Sequence, residues 1–108
     1  MEFKEYTEKA LRTLNPALNW QEIINMSGLG LSGEAGEIAD MIKKYLYHGH
    51  AIEQEKIKLE LGDLLWYINL LAYAYELSLS DIASANILKL QKRYPDKFSY
   101  EASINRLE

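Results

Sequence analysis

The stretch LELGDLLWYINLLAYAY, residues 59–75, decides the fold of this 108-residue chain. Its apolar residues recur at steps of three and four and cover every side of a helix, with hardly any of the strict alternation typical of a strand. In a small protein, a helix that is apolar all round lies at the centre of the fold or is shared with a second subunit. We therefore predict a central helix that begins before this stretch, near Glu53, and ends near Leu77.

The segments on either side of this helix have the same helical spacing, and Pro16 and Pro95 mark boundaries beside further helix-breaking residues. The predicted helices are, in chain order, Glu2 to Leu14, Asn19 to Tyr47, Glu53 to Leu77, and Ser78 or Ser80 to Tyr94. The residues after Pro95 have no strong period and are predicted to form a tail. The sequence thus predicts an all-α fold, an antiparallel bundle of about four main helices in one domain over residues 1–108.

The second predicted helix has clear ends but an unusual interior. Asn19 with Glu22 three residues later has the spacing of a capping box, and Gly49 lies where glycine ends a helix. Between them stand Gly28, Gly30, Gly33 and Gly36. Because each glycine costs about 1 kcal/mol relative to alanine inside a helix, we expect either a kink there or a neighbour packed very close.

Composition excludes several classes of function. With 12 Lys and Arg against 16 Asp and Glu, the formal charge is −4, so the chain lacks the basic surface that nucleic-acid binding requires. Without cysteine it has no disulfide, thiolate zinc site or cysteine nucleophile. The acidic N-terminus is unlike a signal peptide, and the longest apolar run is shorter than the ~20 residues that span a bilayer. We expect a soluble, cytoplasmic protein that binds neither nucleic acid nor membrane.

Two pairs of acids carry the strongest chemical signal. Glu34 and Glu37 lie three apart on the second predicted helix, and Glu60 and Asp63 lie three apart on the apolar third helix, so each pair shares a helix face directed toward the core. Two antiparallel helices would bring the four carboxylates together. Ionised acids are almost never buried without partners, so the group needs either shared protons or a cation.

A divalent metal is the cation that these ligands favour. Carboxylates without His or Cys suit a hard ion such as Mg²⁺, with Mn²⁺ as a possible substitute, and Mg²⁺ typically also binds the phosphates of a substrate. A di-iron bundle would need Glu-x-x-His on two helices, and the chain has no such motif. The structural alternative is that the acids only form ion pairs, with partners among Lys43, Lys44, Lys56 and Lys58.

The fourth predicted helix presents Asn86, Lys89 and Arg93 on one face, because they follow one another at steps of three and four. A polar and cationic face opposite a metal cluster would suit a triphosphate, with metal on one flank and Lys and Arg on the other. The alternative is an exposed basic helix end that complements the helix dipole.

Three segments together resemble a known family: LGLSGEAGEIADMIKK at 29–44, ELGDLLWYINLLA at 60–72 and NILKLQKRYPDKFS at 86–99. They are similar to the single-domain MazG-like branch of the all-α nucleoside triphosphate pyrophosphohydrolases, whose hallmark is E-x-x-E on one helix followed by E-x-x-D on the next. The resemblance covers residues 6–100, approximately.

The resemblance implies an Mg²⁺-dependent hydrolase that cleaves a nucleoside triphosphate between the α and β phosphates, in a homodimer or homotetramer. Glu34, Glu37, Glu60 and Asp63 would then hold the metal. Glu37 is also our candidate for the general base that accepts a proton from water. Asn86, Lys89 and Arg93 would contact the nucleotide. The alternative function is a non-catalytic, oligomeric interaction module that keeps the helical bundle with a degenerate nucleotide or metal site.

Overall fold

The computed structural model describes residues 1–106, and in that range it contains helices and no strand. The helices are α1 (Phe3–Leu11), α2 (Trp20–Tyr47), α3 (Gln54–Ala74), α4 (Leu79–Arg93) and α5 (Tyr100–Ile104). The all-α prediction and its four main helices are confirmed. Within the described residues no helix is both long and apolar enough to cross a membrane.

The largest contact in the fold is the antiparallel hairpin of α2 and α3. Asn19 and Glu22 cap the start of α2 reciprocally: the Glu22 N–H donates to Asn19 Oδ1 at 2.9 Å, and the Asn19 N–H donates to Glu22 Oε1 at 3.0 Å. Past the end of α2, Gly49 adopts a left-handed conformation with φ of 73°. The predicted capping box and the predicted glycine stop are therefore both present.

A close contact explains one of the glycines in α2. The helix runs unbroken from Trp20 to Tyr47, and Gly30 lies directly against the ring of Tyr67 on α3. A methyl group at position 30 would overlap that ring. The expected close neighbour is thus present at Gly30, whereas the positions of Gly28, Gly33 and Gly36 open into free space.

Helix α1 is shorter than predicted and packs against α3 and α4. It ends at Leu11 because Thr13 turns back: its hydroxyl donates to the Ala10 carbonyl at 2.6 Å, and its N–H donates to the same carbonyl. Polar contacts attach α1 and the turn after it to α3. The Thr7 hydroxyl donates to Asn69 Oδ1 at 2.8 Å, and the Trp66 indole N–H donates to Thr13 Oγ1 at 2.9 Å.

The chain turns sharply after α3, three residues earlier than predicted. Glu76 has a φ of 57°, and the Leu77 N–H returns to the Ala72 carbonyl at 2.9 Å. Ser78 then caps α4 by accepting from the Asp81 N–H at 3.0 Å, as the sequence predicts.

The last short helix, α5, falls in the segment predicted to be a tail, and its first turn is capped by the Ser99 hydroxyl.

The buried core lies along the contacts of α3 with α1 and α2 and of α1 with α4. Leu70 is 1% exposed, and Ser27 of α2 is fully buried with its hydroxyl donating to the Ile23 carbonyl. The other buried apolar residues are Ala10, Ile23, Ala72 and Leu79. The prediction of a central third helix therefore holds for its second half, while Leu59 and Leu61 in its first half are exposed.

Candidate functional site

Three of the four predicted acids converge on the hairpin. Glu34 and Glu37 of α2 and Glu60 of α3 each offer a carboxylate oxygen, and these oxygens lie within 4.8 Å of one another. Asp63, one turn further along α3, lies outside this triad and instead lines a neighbouring cavity together with Glu34. The spacing of three within each helix and the antiparallel hairpin between them produce this cluster.

The two half-buried members of the triad have unsatisfied oxygens. One oxygen, Oε2, of both Glu34 and Glu60 is shielded from solvent and has no hydrogen-bond partner among residues 1–106. Leaving a buried acceptor without a partner costs about 1–3 kcal/mol, and more when the group is charged. A hard divalent cation binds carboxylate oxygens, so three carboxylates this close together fit a metal such as Mg²⁺.

Glu37 is the exposed member of the triad, and its neighbours make it hold a proton more tightly. A hydrogen bond with the Glu60 side chain raises the pKa of Glu37, and the negative charge of Glu60 raises it further. Slight burial and the charge of Asp63 act in the same direction, whereas a hydrogen bond with Glu34 lowers the pKa. The neighbouring acids thus favour the protonated form of Glu37 more than solvent alone would.

The lysines proposed as structural partners of these acids are paired elsewhere. Asp40 binds Lys43 and Lys44 at 3.2 and 2.8 Å, which lowers the pKa of Asp40. Lys56 pairs with Glu53 and Lys58 pairs with Glu55. None of the ion pairs within residues 1–106 includes Glu34, Glu37, Glu60 or Asp63. The ion-pair alternative is therefore wrong for these four lysines.

An aromatic wall closes one side of the cavity beside the triad. The cavity has a volume of about 380 Å³ and is lined by Glu34, Asp63, Trp66 and Tyr67. The rings of Trp66 and Tyr67 meet edge to face, with centroids 5.1 Å apart. The hydrogen bond from the Trp66 indole to Thr13 fixes one ring, and the contact with Gly30 fixes the other. The site therefore combines carboxylates with a rigid apolar surface.

Comparison with protein families matches residues 25–98 to the MazG nucleotide pyrophosphohydrolase domain, and this range contains both acidic pairs. The chain belongs to the MazG family. It is 39% identical over 69 residues to the Gene 37 protein of Mycobacterium phage L5, an alignment that covers 60% of this chain and 60% of the phage protein. The chain thus spans less than two thirds of that relative's length. No solved structure matches the chain.

The polar and cationic residues on α4 of this MazG domain lie apart from the acidic cavity. Asn86 and Lys89 are exposed, and Arg93 is half-buried with its guanidinium 5.8 Å from the centre of the Tyr94 ring. Helix α4 packs mainly on α1 rather than on the hairpin, and none of the three residues lines the cavity beside Glu34. The structure of one chain therefore does not bring the predicted nucleotide contacts to the predicted metal ligands.

Tyr6 of α1 is a further residue near the MazG acids that the sequence did not single out. Burial raises the pKa of Tyr6, and the negative charge of Asp63 raises it further, so the phenol lies within electrostatic reach of that carboxylate. Sequence periodicity assigns Tyr6 only to the apolar face of α1. Tyr67, by contrast, follows Glu60 and Asp63 on one face of α3 at steps of three and four, so its place beside them is expected from the sequence. Only the packing of α1 on α3 shows that Tyr6 lies near the acids.

Proposed function

We propose that this chain hydrolyses a nucleoside triphosphate between the α and β phosphates, releasing a nucleoside monophosphate and pyrophosphate. The observation that carries the proposal is the convergence of three carboxylates within 4.8 Å, two of them with shielded oxygens that have no partner among the described residues. Membership in a family of nucleotide pyrophosphohydrolase domains supports the same reaction. A cytoplasmic setting would supply both nucleoside triphosphates and Mg²⁺.

Glu34, Glu37, Glu60 and Asp63 would hold the metal. Bound there, Mg²⁺, or Mn²⁺ in its place, would supply a Lewis acid that polarises phosphoryl oxygens and makes a bound water more acidic. The triad joins Glu34 and Glu37 of α2 to Glu60 of α3, so both helices would fix the position of the ion. Two unsatisfied oxygens would gain a partner when the ion binds.

Glu37 is our candidate for the general base that takes a proton from the attacking water. Its carboxylate is the exposed one of the triad, so water reaches it freely. The rigid wall of Trp66 and Tyr67 would exclude solvent from one side of the reacting phosphate.

Asn86, Lys89 and Arg93 would contact the nucleotide, with Lys89 and Arg93 offsetting the charge that develops on the departing pyrophosphate. Lys89 supports this role because it is exposed and takes part in none of the ion pairs found in residues 1–106. The three residues share one face of α4. We propose that they act within a homodimer or homotetramer.

The experiment that tests this function is a panel of nucleoside triphosphates incubated with the protein and Mg²⁺, with pyrophosphate and orthophosphate measured separately. We predict release of pyrophosphate, a fall in turnover of at least a hundredfold in Glu60→Gln and Asp63→Asn, and wild-type turnover in the control Glu55→Gln. Glu55 suits the control because it lies on the same helix and only pairs with exposed Lys58.

Two results would contradict the proposal. Release of orthophosphate alone would show cleavage at the γ phosphate instead. No turnover across the whole panel, together with nucleotide or partner binding that is indifferent to Mg²⁺, would favour the non-catalytic module.

A further inference from the structure

The side chain of Trp66 is held by the turn that follows α1. Its indole N–H donates to Thr13 Oγ1 at 2.9 Å and also reaches the Ala10 carbonyl at 3.3 Å. The Thr13 hydroxyl in turn donates its proton to the same carbonyl at 2.6 Å. Because that proton is committed to Ala10, the Thr13 oxygen meets the indole as an acceptor. The turn therefore provides a fixed acceptor for the single polar atom of Trp66.

This hydrogen bond decides which part of Trp66 faces the cavity beside the triad. The indole has one donor, and that donor is used by the turn after α1, so the part of Trp66 that lines the cavity is apolar ring. Tyr67 meets the ring edge to face at 5.1 Å and itself packs on Gly30. A half-buried tryptophan has several staggered rotamers open to it, and the bond to Thr13 selects one of them.

A second hydrogen bond fastens α1 to α3 at a different place. The Thr7 hydroxyl donates to Asn69 Oδ1 at 2.8 Å, and Asn69 is 2% exposed. Neither of these two residues lines the cavity beside the triad. Thr13 is exposed, so we expect the loss of its hydroxyl to cost less stability than the loss of a partner for buried Asn69. The two contacts thus separate attachment of the helix from support of the cavity wall.

We propose that Thr13 is a positioning residue for nucleotide binding: it acts through Trp66, whose ring it holds against the bound nucleotide. The inference rests on the proposed function for its ligand, a nucleoside triphosphate. Thr13 itself does not line the cavity. The Trp66 ring contacts the nucleotide before and during the reaction alike, so an unfixed ring weakens binding and leaves the chemical step unchanged. The turn after α1 is therefore part of the site.

Steady-state kinetics of two valine variants test this role, because valine keeps the shape of threonine without its hydroxyl. Thr13→Val should raise KM about tenfold and leave kcat within about twofold of the wild type. Thr13→Ser, which keeps the hydroxyl, should retain the wild-type KM. Thr7→Val is the matched control: it removes the hydrogen bond to buried Asn69, so it should lower the melting temperature more than Thr13→Val does and leave KM unchanged.

The fluorescence of Trp66 provides a readout that needs no turnover. The chain has two tryptophans, so Trp20→Phe leaves Trp66 as the single reporter. In that background, Thr13→Val should make Trp66 easier to quench with acrylamide, and Thr7→Val should not. Binding of the α,β-methylene analogues of ATP, GTP, CTP and UTP in MgCl₂, followed by Trp66 emission, should weaken about tenfold in Thr13→Val, in step with its KM.

Three results would overturn the inference: wild-type KM and analogue affinity in Thr13→Val, an equal loss of affinity in Thr7→Val, or Trp66 emission that does not respond to any analogue. A wild type that binds an analogue but releases no pyrophosphate would contradict the proposed hydrolysis alone. In that case the affinities of Thr13→Val and Thr7→Val for the analogue still decide the role of Thr13.

Discussion

At the residue scale, the protonation of Glu37 depends on the acids around it. A hydrogen bond with Glu60 and that residue's charge raise the pKa of Glu37 above its ordinary value of 4.5. An acid with a raised pKa binds its proton more tightly in the folded than in the unfolded state. The metal-free fold is therefore most stable when Glu37 is protonated, and this contribution is lost as the pH rises from 4.5 through the raised pKa.

The raised pKa of Glu37 predicts how Glu37→Gln changes the stability of the metal-free protein, which is measured in the presence of EDTA. The variant should melt at a higher temperature than the wild type at pH 7, where the wild-type acids repel one another, and the difference should shrink as the pH falls below 4.5. Thermal melts between pH 4 and 8 measure this. Glu55→Gln, which loses a 3.0 Å ion pair with Lys58, should show no such gain. A lower melting temperature for Glu37→Gln at pH 7 would mean that this acid stabilises the metal-free fold.

The positions of the acids were predictable from the sequence, but their unequal environments were not. Two E-x-x-[DE] pairs on consecutive helices are enough to predict that Glu34, Glu37 and Glu60 meet. The separate place of Asp63, beside the cavity rather than within the triad, depends on how α2 and α3 cross. The same is true of Tyr6, whose proximity to Asp63 depends on the docking of α1.

At the element scale, the close approach of α2 and α3 at Gly30 is a feature that substitution can test. Gly30→Ala places a methyl group into the ring of Tyr67, and overpacking of this kind costs about 1–3 kcal/mol. Gly28→Ala, two positions away, meets nothing within 4 Å and should gain about 1 kcal/mol of helix stability. Urea unfolding of both variants should therefore give free-energy changes of opposite sign. A stabilised Gly30→Ala would refute the close packing at this point.

The ends of the helices were predictable where a side chain caps its own helix. The side chains of Asn19 and Ser78 each accept a hydrogen bond from a backbone N–H three residues later in the chain. Because both partners are close in sequence, the sequence is enough to predict where these helices begin. The early end of α1 at Leu11 and the left-handed turn at Glu76 were missed because no glycine marks either point in the sequence. Helix α5 was missed because its five residues have no periodicity to detect.

At the scale of the whole molecule, the arrangement of α4 limits what one chain does alone. The face with Asn86, Lys89 and Arg93 was predictable from spacing, but its place relative to the hairpin was not, because α4 packs on α1. The sequence predicts that the third helix is either central or shared with a second subunit. The exposed Leu59 and Leu61 show that its first half is not central in a single chain.

We propose that the converging carboxylates bind a divalent cation, and a thermal melt in rising MgCl₂ tests this most directly. A ligand that binds only the folded state stabilises it by about 1.4 kcal/mol at ten times its dissociation constant, and each kcal/mol raises the melting temperature by about 4–8 °C in a domain of this size. We predict a saturable rise for the wild type and for Glu55→Gln, absent in KCl of matched ionic strength and absent in Glu60→Gln. A wild-type melting temperature that ignores Mg²⁺, or an equal rise in Glu60→Gln, would contradict the claim.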